Sequence, residues 1–363
     1  MKLINIIELF YKEYFDKLNT CYHYKDDVLN QYHIENTVWT HTFMVLNYYI
    51  KKHNIDLNDD INEINLYHKI NFLALLLHDI GKPFTRKKHP KNPNRVIFSQ
   101  HENFSTILAL DFLKKIGIEK ENIVYISWLI NYHGIFMNYS IKKIERLFKF
   151  NKVLLENIIS FSKFDRMGSL SLDNKIKDYY LEFDFDNFIN ESKIKYNKKD
   201  KEIVILIGLP GSGKSTFYNK YFKDKNYKLI SRDELLIEYG REKYNTNNYN
   251  EIWKKLSQEE HRMIDGLLIK KFTEYKKKNE NIVIDLTNVS MKTRKKWFSG
   301  KKYFYRMFVF LKTINECIEN NKKRKNDDKD LDLNVIYKFA KKFQMPLYNE
   351  FLNDEPIEIN YLV

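Results

Sequence analysis

The stretch EIVILIGLPGSGKST, residues 202–216, decides the fold of the second half of this chain. An apolar run typical of a buried strand leads into the pattern G-x-x-x-x-G-K-[S/T], formed by Gly208, Gly213, Lys214 and Ser215. Such a loop presents backbone N–H groups to a phosphate, and the helix that follows adds favourable partial charge. Lys214 is expected to neutralise the terminal phosphates and Ser215 to bind Mg²⁺, so the stretch predicts a site for ATP or another NTP. The loop is completed by Gly211, Ser212 and Thr216.

From residue 202 onward, short apolar strands alternate with helical patterns, which is typical of a parallel α/β sheet. Polar residues follow two of these strands: Arg232 and Asp233 come after YKLIS, and Asp285 and Asn288 lie in IVIDLTN. Because ligands of open α/β sheets bind at the carboxyl ends of the strands, these side chains are candidates for binding an acceptor. A carboxylate can take a hydroxyl proton there, and an arginine can hold a phosphate. An equally simple interpretation of Arg232 and Asp233 is a helix start with the aspartate as its cap.

Five segments of this half, GLPGSGKST, SRDELL, IDLTN, ENNKKRK and KKFQMPLYNE, resemble in order the 5′-OH polynucleotide kinase family of P-loop phosphotransferases. The resemblance implies that Asp233 is the general base for the 5′-hydroxyl. It also implies that Asp285 and Asn288 line the acceptor pocket. Arg324 would contact the NTP phosphates, although a solvated basic run would look the same.

One position departs from that family. Leu236 stands where an arginine commonly grips the 3′-phosphate of the acceptor. Arg232 could take over this role, but the departure also leaves open a small-molecule acceptor instead of a polynucleotide.

The first half reads as one helical pattern after another, with apolar spacing near 3.6 residues, and predicts an all-α domain. Nine of the ten histidines precede residue 134. Imidazole and carboxylate groups suit divalent transition metals, and ligands from several helices can converge in a bundle core. The candidate metal ligands are His41, His78, Asp79, His101, His133 and Asp165. The other histidines are interpreted as ordinary core or surface residues: His23, His33, His53, His68, His89 and His261.

The order His…His-Asp…His…His…Asp resembles the HD phosphohydrolase superfamily over roughly residues 36–172. HDIGKP, FSQHE and DRMGS also look like the HD module of bacterial CCA-adding enzymes. The resemblance implies one metal, such as Mn²⁺, Ni²⁺, Co²⁺ or Zn²⁺, held by His41, His78, Asp79 and Asp165, and a second completed by His101 and His133 with Asp79 bridging. Such ions supply a nucleophile and hold phosphoryl oxygens. Lys82 is expected to touch substrate phosphate, with a cation placed after a helix end as the alternative.

The polar segment NESKIKYNKKDKE, residues 190–202, separates the two halves and predicts a linker. We expect an HD-type helical domain at residues 1–197, including linker residues 190–197, and an α/β P-loop kinase-like domain at residues 198–363. This pair resembles the bifunctional RNA end-healing enzymes called HD-Pnk. The resemblance implies NTP-dependent phosphorylation of 5′-OH ends and metal-dependent hydrolysis of 2′,3′-cyclic phosphate or phosphomonoester ends. Two other functions stay open: a nucleotide-metabolism enzyme with a small-molecule kinase, and a regulatory module that senses NTP.

Composition bounds the partners and the compartment. The 363 residues carry a formal net charge of +14, which fits RNA or DNA ends as partners, although an A+T-rich genome alone would inflate the lysine count. No apolar run reaches the roughly 18 residues of a membrane helix, and the opening MKLINIIELFYKEYF reads as an amphipathic helix, so a cytoplasmic protein without a membrane partner is expected. Cys21 and Cys317 lack the spacing of a disulfide framework or a thiolate metal site. A separate RNA ligase as partner and a homo-oligomer are compatible with these features.

Overall fold

The computed structural model of the protein describes residues 1–23, 33–170, 194–298, 300–324, 331–351 and 355–363. The chain divides into two compact units. One comprises Met1–Ile194 and Lys341–Met345, and the other comprises Lys195–Ala340 and Pro346–Val363. The segment Lys341–Met345 therefore differs from the sequence expectation, which assigned it to the second domain. Of the predicted linker, residues 190–193 lie outside the described residues, and residues 194–199 form no helix or strand.

The first unit is built mainly from helices. Their bounds are α1 (Leu3–Asn19), α2 (Val38–His53), α3 (Leu66–Leu77), α4 (Lys82–Thr85), α5 (His101–Lys115), α6 (Lys120–Tyr132), α7 (Ile135–Asn138), α8 (Ile141–Phe148) and α9 (Lys152–Met167). Side-chain oxygens of Thr37 and Asn151 accept backbone N–H groups at the starts of α2 and α9, which fixes where these two helices begin.

Helix α3 carries the polar pair of the HDIGKP segment into the interior. Every residue from Lys69 to Leu77 is buried, and a helix that is apolar on all sides belongs in a core. His78 follows directly as the C-terminal cap residue and is fully buried, as is Asp79. The pair is buried because the helix that precedes it runs through the core.

The prediction of an all-α domain was wrong at one place. Strands β1 (Lys87–His89) and β2 (Asn92–Ile97) form an antiparallel ribbon, with Lys87 opposite Ile97 and Lys88 opposite Val96. The ribbon was not predictable from the sequence, because β1 is only three residues long and rich in lysine, a residue that is depleted in strands.

Helix α6 binds the segment Lys341–Met345. Asn131 Nδ2 donates to the Phe343 carbonyl at 3.0 Å, and the Met345 N–H donates to Asn131 Oδ1 at 2.9 Å. Both bonds are buried, so the amide of Asn131 replaces water for the backbone of this segment.

Among the described residues, the second unit has a five-stranded parallel sheet in the order β4-β5-β3-β6-β7, which confirms the predicted parallel sheet. The strands are β3 (Glu202–Gly208), β4 (Tyr227–Ser231), β5 (Asn281–Asp285), β6 (Phe304–Phe310) and β7 (Glu358–Leu362). The helices are α10 (Lys214–Tyr221), α11 (Arg232–Tyr244), α12 (Tyr249–Lys255), α13 (Gln258–Lys277), α14 (Met291–Arg294), α15 (Ile314–Lys323) and α16 (Leu333–Ala340), with a 3₁₀ turn at Lys295–Trp297.

Strand β3 is central, and its residues 203–207 are completely buried. After β3 the chain moves to β4 on one side of the sheet, whereas β6 and β7 follow on the other side. The loop that leaves β3 therefore lies where the strand order reverses, and this is where open α/β sheets bind ligands.

Within the described parts of the chain, no helix combines the length and the apolar character needed to cross a membrane.

Candidate functional site

The structure brings all of the predicted metal ligands of the first unit together. They are His41 on α2, His78 and Asp79 after α3, His101 at the start of α5, His133 after α6, and Asp165 on α9. Asp165 Oδ1 lies 2.9 Å from His41 Nε2 and 3.4 Å from His78 Nε2. Asp79 Oδ2 lies 3.5 Å and 3.3 Å from the same two nitrogens. Two carboxylates and two imidazoles thus point at one place.

The second oxygen of Asp79 faces a second group. Asp79 Oδ1 lies 3.2 Å from His101 Nε2, which in turn lies 3.2 Å from His133 Nε2. One oxygen of Asp79 therefore belongs to each group, as in a bridging carboxylate.

In three of the imidazoles, a hydrogen bond from Nδ1 determines that Nε2 is the nitrogen available as a metal ligand. His78, His101 and His133 each donate Nδ1–H to the carbonyl of the residue three positions earlier, at 2.8, 2.8 and 2.7 Å. A carbonyl only accepts, so in the neutral rings Nε2 carries a lone pair. The Nε2 atoms of His101 and His133 lie 3.2 Å apart, so either a proton on one of the two rings or a cation bound by both nitrogens would satisfy their lone pairs.

The carboxylates of the cluster also fit a divalent metal. Both oxygens of Asp79 are buried, and within the described part of the chain neither accepts a hydrogen bond of good geometry. Imidazole nitrogens and carboxylate oxygens are the donors that Mn²⁺, Ni²⁺, Co²⁺ and Zn²⁺ prefer. The residues present can therefore hold such an ion.

The electrostatics of the cluster favour positive charge. Burial disfavours a charged His78, but Asp79 and Asp165 outweigh it and raise the pKa of His78 to about 10. Burial likewise opposes charge on His41, whose pKa is nevertheless raised by hydrogen bonds to Asp165 and Glu35. Burial would raise the pKa of Asp79 and of Asp165, yet the neighbouring cations hold both well below the usual range. Both carboxylates are therefore ionised at neutral pH.

Glu35, which the sequence analysis did not identify, binds the outer ring nitrogen of His41. Its Oε1 accepts Nδ1–H from both His41 and His33 at 2.8 Å, and its Oε2 accepts the Leu170 N–H at 3.0 Å. Burial opposes its ionisation, but the bonds from the two histidines hold the pKa of Glu35 far below its ordinary value. A buried carboxylate on the outer nitrogen of a metal ligand sets both tautomer and ring direction. The only sequence signal was an acidic residue shortly before α2.

Lys82 lies against the cluster. Its Nζ is 2.7 Å from Asp79 Oδ2 and 3.3 Å from His23 Nε2, and only 5% of the residue is exposed. His23 and His33, which the sequence interpretation treats as ordinary core or surface residues, lie with Glu35 in a further group of side chains that could bind a metal, next to Lys82. Nothing in the local pattern of either histidine indicated this placement.

In the second unit, the loop after β3 has the geometry that holds a phosphate. Gly211 and Gly213 have φ of +81° and +94°, left-handed conformations that favour glycine. A Cβ on Gly208 would meet Ser212 Oγ at 2.5 Å, so the loop can close only over a glycine. Lys214 Nζ donates to the Gly208 carbonyl at 3.0 Å, which keeps the ammonium group over the loop.

A cavity of about 730 Å³ joins this loop to the predicted acceptor side. Its walls include Lys214 and Ser215 of the loop, Arg232 and Asp233 at the start of α11, Asp285 at the end of β5, and Arg324 directly after α15. Thr216, which was expected to bind the nucleotide, is exposed like Ser215 but is not among the residues that line this cavity. A phosphate-binding lysine and a carboxylate that can accept a proton therefore line one cavity.

The expectation for Asn288 needs correction. Its Nδ2 donates to the Leu206 carbonyl at 2.9 Å, and its Oδ1 accepts Trp297 Nε1–H at 2.9 Å. With φ of +47° and 2% exposure, Asn288 turns into the core and ties β3 to the 3₁₀ turn. It is a structural residue and not a wall of the acceptor pocket.

Leu236 is also a core residue. It packs in a buried cluster with Tyr249, Ile252, Leu256 and Ile264. An arginine there would place a charge in this cluster, at a high desolvation cost. Arg232 lines the cavity instead, where its Nε donates to Asp265 Oδ1 at 2.7 Å and its Nη2 donates to His261 Nδ1 at 3.1 Å.

Tyr249 is a second residue that the sequence missed. Its hydroxyl hydrogen-bonds to the Asp233 carboxylate, and burial together with that carboxylate raises the pKa of Tyr249. The hydroxyl therefore keeps its proton and can orient Asp233. No local motif marks this tyrosine, because its partner lies 16 positions earlier, on α11.

Comparisons with known proteins support the kinase-like fold of the second unit. Residues 203–346 match the family model described as an AAA domain. Together with the strand order and the glycine loop, this match fits a P-loop kinase domain.

Two curated relatives share part of the sequence. A bifunctional polynucleotide phosphatase/kinase of Schizosaccharomyces pombe is 27% identical over 182 residues, which are 48% of this chain and 38% of that protein. A protein of Autographa californica nuclear polyhedrosis virus, named as a bifunctional polynucleotide kinase/RNA ligase, is 28% identical over 149 residues, 39% of this chain and 21% of that protein. The chain thus spans less than two fifths of the length of either relative.

Among solved structures, a chain in the Pnkp1/Rnl/Hen1 RNA repair complex aligns with 20% identity over 44% of this chain and 51% of that chain. Its TM-score of 0.34 is too low to establish a shared fold.

Proposed function

We propose that this protein heals nucleic acid ends: the second unit phosphorylates 5′-OH ends with NTP, and the first unit hydrolyses 2′,3′-cyclic phosphate or phosphomonoester ends. The observation that carries the proposal is the single cavity that holds both the P-loop Lys214 and the carboxylate of Asp233. The names of the two curated relatives, each a polynucleotide kinase joined to a second end-processing activity, support it.

In the kinase reaction, Asp233 accepts the proton of the 5′-hydroxyl while that oxygen attacks the γ-phosphorus. The bond from the γ-phosphorus to the bridging oxygen breaks, and NDP leaves with the electron pair. Lys214 and Arg324, which line the cavity, offset the negative charge that spreads over the transferred group, and Ser215 would hold Mg²⁺. Tyr249 keeps the Asp233 carboxylate turned to the acceptor.

Arg232 and Asp285 bind the acceptor in this proposal, since both line the cavity. Because Leu236 belongs to the core, its identity does not argue for a small-molecule acceptor. The net charge of +14 suits the phosphate backbone of RNA or DNA.

In the first unit, divalent ions would supply a nucleophile and Lewis-acid stabilisation of the phosphate ester. The chain itself contributes Nε2 lone pairs from His78, His101 and His133, and the two oxygens of Asp79. Lys82 can offset charge on the substrate phosphate, because its ammonium already lies beside Asp79. A separate RNA ligase would then join the healed ends.

The test uses one RNA that carries a 5′-OH and a 2′,3′-cyclic phosphate, incubated with ATP and Mn²⁺ or Ni²⁺. We expect both ends to be healed by the full chain. Lys214→Ala is expected to abolish 5′-phosphorylation and to leave 3′-end hydrolysis intact, and His78→Ala is expected to do the reverse. A full chain that leaves the 5′-OH untouched would refute the kinase half, and an unaltered 3′ end in metal-replete buffer would refute the hydrolase half.

A further inference from the structure

One large aromatic side chain in the cavity of the second unit, Trp253, is about half exposed. Trp253 lines the cavity and is 45% exposed, whereas Tyr249, one turn earlier on α12, is buried. The two rings lie nearly parallel, with centroids 6.0 Å apart and planes inclined by 17°. Because buried Tyr249 supports the indole, Trp253 presents a firm apolar surface to the cavity.

A cation is held over part of this ring. The Arg232 guanidinium carbon lies 5.1 Å from the Trp253 ring centre, and the His261 ring lies 4.5 Å from it. Arg232 is held in place by Asp265 and by His261 Nδ1. An indole next to an arginine offers stacking and phosphate binding at one point.

The aromatic pair lies on the acceptor side of the cavity. Tyr249 contacts both Trp253 and Asp233, and Arg232 directly precedes Asp233 in the chain. A 5′-hydroxyl at Asp233 would bring its own nucleotide toward this ring.

We infer that Trp253, supported by Tyr249, is the surface on which the 5′-terminal nucleobase of the acceptor strand stacks, with Arg232 beside the adjacent phosphate. This inference rests on the proposed kinase function and adds the first base of the strand to what the site recognises. Every base has a π face, so stacking binds any 5′-terminal base and distinguishes a nucleotide from a bare sugar-phosphate.

The experiment compares two single-stranded acceptors that differ only in whether the 5′-terminal nucleotide carries a base. For the normal acceptor, Trp253→Ala should raise KM about 5- to 100-fold, the range that loss of one stacked base gives. Trp253→Phe should keep most of the affinity, and KM for NTP should stay unchanged in both variants. For the abasic acceptor, wild type and Trp253→Ala should be equal. Oligonucleotide binding without NTP, followed by fluorescence anisotropy, should show the same pattern without turnover.

Tyr221→Ala is the matched control, since Tyr221 is an exposed tyrosine on α10. Equal losses on both acceptors, or a raised KM for NTP, would assign Trp253 a structural or donor role and overturn the inference. Wild-type protein that does not discriminate against the abasic acceptor would also overturn it, even where a variant fails to fold, and would leave the kinase function standing. If wild type phosphorylates no 5′-OH strand, the proposed function and this inference fall together.

Discussion

Replacing Glu35 by glutamine tests whether this carboxylate positions His41, a candidate metal ligand. Glu35 Oε1 receives Nδ1–H from His41 and His33, and Oε2 receives the Leu170 N–H. A glutamine keeps the shape but loses the charge. It must also turn its NH₂ group either toward the Leu170 N–H or toward the two imidazole N–H groups, so that donors face donors.

The magnitude follows from the His41 bond. A hydrogen bond to a charged group contributes about 1.5–3 kcal/mol and a neutral one about 0.5–1.5 kcal/mol, so the change costs about 1–1.5 kcal/mol. This cost corresponds to a roughly tenfold loss of metal affinity. The repulsion between the glutamine NH₂ group and the N–H groups that it must face weakens binding further. We therefore expect Glu35→Gln to bind Mn²⁺ or Ni²⁺ about 10- to 100-fold more weakly.

The assay is calorimetric titration of the chelator-treated full chain with Mn²⁺ or Ni²⁺. Kinase activity of the same preparation reports whether the second unit is intact. Glu63→Gln is the matched control, because Glu63 is exposed in the same unit. Unchanged metal affinity in Glu35→Gln would refute a positioning role, and so would an equal loss in Glu63→Gln.

The remaining predictions concern the second unit. Asp233→Asn should lower 5′-phosphorylation by about 10²- to 10⁴-fold in single-turnover assays, the usual share of a general base, with NTP affinity preserved; a smaller loss would assign the proton to another group. Tyr249→Phe should lower kcat by about tenfold through the lost bond to Asp233, and an effect on KM for NTP alone would contradict this. Glu350→Ala should reduce the free energy of unfolding by about 3–5 kcal/mol in urea titrations, because Arg294, fully buried with Glu350, would keep an unpaired charge. Arg294→Met combined with Glu350→Leu should recover much of that loss, and no recovery would show that the site resists apolar packing.

The phosphate loop was predictable from the sequence because its determinants are local. Gly211 and Gly213 need left-handed backbone, and Lys214 follows them on the same short stretch. The parallel sheet was predictable for the same reason, since its apolar strands alternate with helices along the chain. The position of Lys341–Met345 was not predictable in this way, because its hydrogen-bond partner Asn131 lies on a helix of the first unit.

The acceptor side was less predictable because its residues depend on tertiary contacts. Asn288 shares the IDLTN segment with Asp285, yet its left-handed backbone turns the amide to Leu206 and away from the cavity. Tyr249 and Trp253 fit a helical pattern with no motif. The roles that we propose for them depend on the packing of α12 against the start of α11.

The candidate metal ligands at the end of α3 carry a large buried negative charge. The carboxylates gathered there are Asp79, Asp165 and Glu35, and among the described residues Lys82 is the permanent cation paired with Asp79. Negative charge on these carboxylates that Lys82 does not neutralise is costly in a low-dielectric interior. The same negative charge raises the pKa of the neighbouring imidazoles of His78 and His41. Protons on those imidazoles balance the charge but leave the Nε2 atoms of His101 and His133 facing each other. A divalent ion offsets the charge and gives the lone pairs a partner. The cluster can therefore take divalent cations in place of protons.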